Sequence, residues 1–318
     1  MKKSFYNPHG LLSLGDDVFK GMGESAILSS RKGSDSVLQL FGGRENFPSS
    51  IMRAERGKVS AETDAPVFGS RRFAHSSYVN RRGESPEKKK LFSASHVRQG
   101  SKEAALSIFP QNIGRSVILF YSEPGAQIVD PFAGHNSRME LCVSNGRHYT
   151  GYDISVPFME FNKKRAGQLK RTFPSARINL HLADSRRLGH SKDNGADFTL
   201  TSPPYYDIEF YGDEAGQLGK SETYEQFLDG LQQVLAENLR CLKPGAFAVW
   251  FVNDFRRLKT FHPYHMDCIL RAQKVGFVLH DIIIVDLGPS IRGAFVNQVV
   301  QTKIIPKRHE YGLVFKKP

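Results

Sequence analysis

The stretch ADFTLTSPPYY, residues 196–206, joins an apolar strand pattern to two consecutive prolines. Residues 196–200 are mostly apolar, which is typical of a buried strand. Neither proline can continue that strand, because proline lacks the N–H that a β-ladder needs and fixes its own φ. The chain is therefore expected to leave its sheet at Ser202, with a serine before the prolines and aromatic residues after them.

Outward from this stretch, strand and helix patterns alternate from about residue 101 onward. This alternation predicts an α/β fold, a doubly wound and mostly parallel sheet with helices on both faces. The predicted strands are residues 127–130, 148–153, 178–184, 196–201, 246–252, 277–287 and 310–316, and the predicted helices are residues 110–121, 137–143, 156–173, 224–242 and 264–275. Lys243-Pro244-Gly245 is expected to end the fourth helix, since proline and glycine disfavour its continuation.

Length and composition exclude several classes of protein. With 318 residues and 40% hydrophobic content, the chain can bury one large core and a smaller appendage. Cys142, Cys241 and Cys268 lie far apart without CxxC spacing, so we expect buried free thiols, no metal site and a reducing compartment. No apolar run approaches the ~20 residues of a membrane span, which favours a cytoplasmic protein without a membrane partner.

The positive charge is concentrated near the amino terminus. The net charge of +12 favours a polyanionic partner. Residues 71–102 contain nine lysines and arginines against two acids, and they lack a sustained apolar period. We therefore predict a basic, partly irregular region over residues 1–100 and an α/β domain over residues 101–318. The basic segment is either a solvated linker or an arm that follows phosphates.

Four features mark the ends of predicted strands, where ligands bind in open parallel sheets. The first is the turn DPFAGHNSR, residues 130–138, whose backbone N–H groups are expected to approach a ligand closely. The others are Asp153, which is well placed to accept hydrogen bonds from ribose hydroxyls, Asp184, and the Ser-Pro-Pro-Tyr stretch at Ser202. Taken singly, an acid at the end of a strand is more often a helix N-cap than a ligand-binding residue.

In this order, the four features resemble the amino-group DNA methyltransferases, which use S-adenosylmethionine to methylate cytosine N4 or adenine N6. The resemblance covers about residues 100–318 and includes Phe109-Pro110, the LKPG of residues 242–245 and the KRHEY of residues 307–311. It implies a Rossmann-like class I methyltransferase fold with a seven-stranded sheet. The chain departs from the family pattern at Asn136, which replaces a second glycine, and at His135 and Arg138, which are larger than expected.

The resemblance also implies the roles of individual residues. Its catalytic residues are Ser202, Pro203, Pro204 and Tyr205, and its cofactor-binding residues are Phe109, Asp130, Phe132, Ala133, Gly134, Asp153, Asp184 and Ser185. The lone pair of an exocyclic amine is delocalised, so acceptors at Ser202 Oγ and the Pro203 carbonyl would help the nitrogen to pyramidalise, and the prolines would hold them still. Tyr205 would stack on a base flipped out of the duplex. For Tyr206, Phe210 and Tyr211, ordinary packing is favoured.

Several alternatives stay open. Serine at the first motif position favours cytosine N4 over adenine N6, and double-stranded DNA is the expected partner. Related motifs also serve RNA and protein glutamine methyltransferases, and an inactive fold could still bind nucleic acid. A nicotinamide enzyme is disfavoured because GxGxxG is missing. The target sequence would be read by the N-terminal region or by residues 207–221, 255–265 or 289–306. The oligomeric state and a restriction endonuclease partner are not decided by the sequence.

Overall fold

The computed structural model describes residues 49–54, 109–134, 137–208, 214–257, 260–287, 296–305 and 307–318, which belong to one compact unit. The strands are β1 (Ile51–Arg53), β2 (Gln127–Asp130), β3 (His148–Asp153), β4 (Ile178–Leu182), β5 (Ala196–Thr201), β6 (Leu242–Val252), β7 (Phe255–Arg257), β8 (Thr260–His262), β9 (Val278–Asp286) and β10 (His309–Lys316). The helices are α1 (Gln111–Tyr121), α2 (Ser137–Ser144), α3 (Val156–Thr172), α4 (Tyr224–Cys241), α5 (Tyr264–Val275) and α6 (Val296–Thr302), with a 3₁₀ turn at Leu218–Lys220.

The central sheet has the strand order β1-β9-β10-β6-β5-β2-β3-β4. Every pair in it is parallel except the two that β10 makes with β6 and β9. The predicted fold class is therefore confirmed, and the predicted number of seven strands is wrong by one. The eighth strand, Ile51–Arg53, comes from the region that we assigned to an N-terminal extension. It escaped prediction because it has three residues and only Met52 is buried.

Helices cover both faces of the sheet, as the doubly wound class requires. Neighbouring side chains of a strand point to opposite faces, and Ile128 accordingly packs with residues of α1, α2 and α3, whereas Val129 packs with residues of α4 and α5. The three cysteines are free and buried, as predicted. Their thiols lie in these two core layers.

Helix α4 begins at Tyr224, as predicted, and ends one residue before its predicted end. Thr223 and Gln226 form a capping box, in which the Thr223 hydroxyl accepts from Gln226 N and the Gln226 side chain accepts from Thr223 N, both at 3.2 Å. At the other end the helix stops at Cys241 and β6 starts at Leu242. The helix thus ends before Lys243-Pro244-Gly245, as expected, but the predicted start of the next strand at residue 246 was wrong. These three residues are exposed at the start of the strand, where its pairing with β5 is irregular and Gly245 has a φ of 77°.

Besides β1, three further elements were not predicted. Strands β7 and β8 pair as an antiparallel hairpin in a segment that we expected to be a loop, and α6 lies within residues 289–306. The basic segment of residues 71–102, with His135, Asn136, Phe210 and Tyr211, lies outside the described residues. Among the helices of the described ranges, none is both long and apolar enough to cross a membrane.

Candidate active site

The candidate site lies where the order of the strands reverses. From β2 the chain continues to β3 and β4 on one side, and then returns to β5 and β6 on the other side. The carboxyl ends of adjacent strands that diverge in this way form a crevice. A cavity of about 140 Å³ opens there. Nine predicted site residues line it, namely Phe109, Phe132, Gly134, Asp153, Ser185, Ser202, Pro203, Pro204 and Tyr205.

Asp130, at the end of β2, is not among the lining residues. Its carboxylate is fully buried and accepts four hydrogen bonds. The donors are Phe132 N at 3.2 Å, Thr201 Oγ1 at 2.6 Å, Arg138 Nε at 2.7 Å and Tyr149 Oη at 2.8 Å. A buried carboxylate needs such compensation, because its desolvation is costly. Asp130 therefore joins the turn, α2, β3 and β5 beside the cavity, and its contact with the cofactor stays a prediction.

The turn after Asp130 uses its own backbone donors internally. Phe132 N donates to Asp130, Ala133 N donates to the Tyr152 carbonyl at 2.8 Å, and Gly134 N donates to Asp153 Oδ2 at 2.7 Å. Gly134 has a φ of 51°, which favours glycine. These three N–H groups are thus engaged within the protein, and the approach of the turn to a ligand stays a prediction. Ala133 is buried and does not line the cavity.

Asp153, at the end of β3, is the carboxylate that lines the cavity beside this turn. Its two oxygens accept from Gly134 N and from Ser155 N at 2.8 Å. Burial raises the pKa of Asp153 to about 6, although these two N–H groups lower it and the neighbouring Asp130 adds to the rise. Each carboxylate oxygen has a second lone pair, so Asp153 can still accept a hydrogen bond from a hydroxyl group.

Asp184 lies beside the cavity but does not line it. Arg186 donates to both of its carboxylate oxygens, from Nε at 3.0 and 2.9 Å. Burial alone would raise the pKa of Asp184, but the hydrogen bonds and charge of Arg186 outweigh it and the pKa is lowered. The next residue, Ser185, does line the cavity, and its hydroxyl donates to the Pro131 carbonyl.

The Ser-Pro-Pro-Tyr loop leaves β5 at the cavity, as predicted. The Tyr264 hydroxyl, from fully buried Tyr264, donates to the Pro204 carbonyl at 3.2 Å and holds the loop against α5. Within the described ranges, Ser202 Oγ and the Pro203 carbonyl have no hydrogen-bond donor or acceptor. Both residues line the cavity, so a polar group that enters it comes next to the loop that carries these two acceptors.

The aromatic residues of the loop differ in their surroundings. Tyr205 is partly exposed in the cavity, with its ring 6.0 Å from Phe255 and 5.9 Å from Tyr264. Tyr206 packs among Tyr224 and Phe227, and its hydroxyl donates to the Glu222 carbonyl at 3.1 Å. Ordinary packing, which we favoured for Tyr206, is confirmed.

The β7–β8 hairpin stands next to this loop. Phe255 contacts Tyr205, and Arg257 Nε donates to Asp207 Oδ2 at 2.6 Å. On the hairpin surface, the guanidinium of Arg256 lies 5.1 Å from the ring centre of Phe261, which is 49% exposed. The segment that interleaves basic and aromatic residues is therefore anchored to the Ser-Pro-Pro-Tyr loop.

Several lining residues were missed by the sequence analysis as site residues: Pro110, Arg138, Ile154, Phe158, Gly216, Gln217, Leu218, Phe251 and Glu310. Arg138 is 7% exposed, donates from Nε to Asp130 and from Nη2 to the Phe132 carbonyl, and lies 5.6 Å from the Phe109 ring centre. Burial lowers the pKa of Arg138, but Asp130 outweighs that effect and the pKa is raised. Arg138 therefore stays charged. Its departure from the family pattern was the signal that could have found it.

A comparison with known protein families gives a match over part of the chain. Residues 196–318 match the family model N6_N4_Mtase, described as DNA methylase. The resemblance inferred from the sequence is confirmed there. No curated protein matches the chain significantly.

Solved structures of methyltransferases are similar to this chain. TTHA0409 of Thermus thermophilus, described as a DNA modification methylase and solved with S-adenosyl-L-methionine, is 32% identical over 43% of this chain and 54% of its own, with a TM-score of 0.33. TrmN of Thermus thermophilus is 16% identical over 66% of this chain and 49% of its own, with a TM-score of 0.45. A SAM-dependent methyltransferase of Methanosarcina mazei is 14% identical over 67% of this chain and 99% of its own, with a TM-score of 0.43. The chain covers about half the length of the first two proteins.

Proposed function

We propose that this protein is a DNA methyltransferase that transfers a methyl group from S-adenosylmethionine to an exocyclic amine of a flipped base, with cytosine N4 as the favoured acceptor. The observation that carries the proposal is the placement of Ser202 and Pro203. These two residues, whose acceptors have no partner in the described part of the chain, line the same cavity as Asp153. The match of residues 196–318 to the DNA methylase family model supports the same reaction class.

The residues present fit the cofactor. Asp153 offers free lone pairs for ribose hydroxyls, and Phe109, Phe132 and Phe158 supply apolar walls of the cavity. Ser185 lies on the side next to Asp184, where we expect the adenine ring. When bound, S-adenosylmethionine supplies a methyl group on a positively charged sulfur, which makes that methyl strongly electrophilic.

The loop residues act on the acceptor amine. Ser202 Oγ and the Pro203 carbonyl accept hydrogen bonds from the two amine hydrogens, which draws the nitrogen out of conjugation with the ring. The Tyr264 bond to the Pro204 carbonyl keeps both acceptors in place, so little reorganisation is needed during the reaction. After transfer, the methylated amine carries one extra proton, which it loses to solvent water, because a neutral hydroxyl and a carbonyl are too weakly basic to keep it. Tyr205 gives the flipped base an aromatic contact that offsets part of its lost stacking.

Double-stranded DNA as the substrate is supported by charge and by the hairpin. The net charge of +12 favours association with phosphates. Arg256 and Phe261 place a cation and an exposed ring on the hairpin that contacts Tyr205 through Phe255. A hairpin in this position would meet the strand beside the flipped base.

The choice of base rests on the first residue of the motif, Ser202. A hydroxyl acceptor is typical of cytosine N4 enzymes, whereas a carboxylate or an amide oxygen is typical of adenine N6 enzymes. Adenine N6 is therefore the second candidate, and it would use the same residues.

The test is transfer of label from tritiated S-adenosylmethionine to unmethylated duplex DNA, followed by digestion to nucleosides. We expect labelled N4-methylcytosine and a loss of about 100-fold in Ser202→Ala. Ser144→Ala is the matched control, since Ser144 ends α2 away from the cavity and is expected to keep full activity. Labelled N6-methyladenine would assign the second candidate. Full activity of Ser202→Ala, or unlabelled DNA despite cofactor binding, would contradict the proposal.

A further inference from the structure

The hydrogen bonds of Arg138 within the protein use only part of its guanidinium group. Its Nε and Nη2 are engaged by Asp130 and by the Phe132 carbonyl, whereas Nη1 has no hydrogen-bond partner in the described part of the chain. Nη1 is also not among the buried polar atoms without a partner, so it reaches accessible space. Arg138 is also one of the residues that line the cavity.

We propose that Arg138 Nη1 forms a carboxylate-binding subsite in this cavity, which takes the α-carboxylate at the amino-acid end of the cofactor. This inference rests on the proposed function for the identity of the cofactor. Arg138 would then make the protein prefer ligands that carry this carboxylate over ligands that consist of the adenosine part alone.

The charge of the subsite is suited to an anion. Arg138 is paired with Asp130, whose carboxylate also accepts from Thr201, Tyr149 and Phe132 N, and the guanidinium keeps one nitrogen that can donate to a further acceptor. A guanidinium is weakly hydrated and binds carboxylates well, and bonds between charged partners are about twice as strong as neutral ones. The site has low exposure, at 7% for Arg138, which strengthens the interaction relative to water.

The guanidinium is also held rigidly. Asp130 and the Phe132 carbonyl fix two of its nitrogens, and the Phe109 ring lies 5.6 Å from its central carbon. A group that is already ordered loses little side-chain entropy on binding. The position suits the amino-acid end of the ligand, because Asp153, the expected ribose partner, is joined to the same turn through Gly134 N.

The test compares two ligands by calorimetry without DNA. S-adenosylhomocysteine carries the carboxylate, whereas 5′-methylthioadenosine lacks the whole amino-acid end. We expect the wild-type protein to bind the first more tightly. In Arg138→Gln the Kd of S-adenosylhomocysteine should rise about tenfold or more, while the Kd of 5′-methylthioadenosine stays within about twofold. Arg138→Lys should lose most of the same preference, because an ammonium cannot make all three contacts at once.

The second ligand reports on folding of the variants. If Arg138→Gln left the ratio of the two Kd values unchanged, whether both rose by the same factor or neither rose, the subsite would be ruled out. Binding of neither ligand to the wild-type protein would overturn the inference together with the cofactor assignment. A changed ratio in a protein that transfers no methyl group to DNA would uphold the subsite and reject the proposed reaction.

Discussion

Asp130 Oδ1 accepts a hydrogen bond of 2.6 Å from the hydroxyl of Thr201, and both side chains are fully buried. Asp130 ends β2 and precedes the turn of residues 131–134, whereas Thr201 ends β5 and precedes Ser202. The bond therefore joins the turn that lines the cofactor side of the cavity to the loop that carries the proposed acceptors. It is a direct link by which the two halves of the site can hold each other in register.

Thr201→Val tests whether the bond between Thr201 and Asp130 matters for methyl transfer as well as for the stability of the fold. The change keeps the side-chain shape and leaves Asp130 with one donor fewer, which should lower the free energy of unfolding by about 1–3 kcal/mol. We also expect methyl transfer to fall by up to about 100-fold, because a small displacement of the acceptors is costly. Urea unfolding and single-turnover transfer measure the two effects.

Thr199→Val is the matched control for that prediction. Thr199 is equally buried on the same strand, but its hydroxyl accepts from Asn238 Nδ2 at 2.7 Å and has no link to Asp130. It should lower the free energy of unfolding by a similar amount and leave methyl transfer unchanged. Equal losses of transfer in both variants would mean that the Asp130 bond has no special part in the reaction.

Cofactor binding should depend on pH through Asp153. Burial raises the pKa of Asp153 to about 6, so its carboxylate is ionised above that pH and protonated below it. The ionised form accepts more hydrogen bonds from hydroxyls, so affinity should be full above about pH 6 and fall by up to about tenfold per unit below it. Titrations with S-adenosylhomocysteine between about pH 5 and pH 8 measure this dependence.

Two variants test whether Asp153 is the group whose ionisation governs cofactor binding. Asp153→Asn should bind weakly and show no pH dependence in this range. In contrast, Asp184→Asn should keep the wild-type profile, since the pKa of Asp184 is lowered and its carboxylate does not titrate there. A flat wild-type profile would mean that Asp153 ionisation does not govern binding.

Gly114→Ala should displace a residue that lines the cavity. A Cβ at Gly114 would lie 2.4 Å from both Phe109 Cε1 and Leu141 Cδ2, so Phe109 must move, and Phe109 lines the cavity. We expect a loss of about 1–3 kcal/mol in the free energy of unfolding, together with weaker cofactor binding. Gly167→Ala, on the exposed face of α3 with nothing within 4 Å, should instead gain about 0.5–1 kcal/mol. Greater stability of Gly114→Ala would show that the helix propensity of alanine outweighs the clash.

The ends of the strands were predictable from the sequence because local signals coincide there. Strand β5 is apolar and is followed by two prolines, and β2 and β3 each end in an aspartate. These signals placed Ser202 and Asp153 in one site, which the structure brings together. Their proximity follows directly from the rule that carboxyl ends of parallel strands share one edge.

The surroundings of Asp130 and the position of Glu310 in the cavity could not be predicted, because they depend on contacts between residues that are distant in the sequence. Asp130 is surrounded by Arg138, Tyr149 and Thr201, which come from three different elements, and the sequence predicted none of these contacts. Glu310 lines the cavity because β10 runs antiparallel to β6, so that its first residues lie at the same edge. Neither relationship has a local pattern, since each depends on strand order and direction.

The β7–β8 hairpin provides the test of the nucleic-acid surface. Arg256→Ala should weaken DNA binding and reduce the slope of log K against log salt by about one, as expected for the loss of one phosphate contact. Phe261→Ala should weaken binding with little change of slope, because stacking does not release counterions. Arg171→Ala, in the last turn of α3 and away from the cavity, should alter neither quantity. Binding titrations with one duplex at several salt concentrations decide between these outcomes, and equal effects of Arg256→Ala and Arg171→Ala would leave only a general charge attraction.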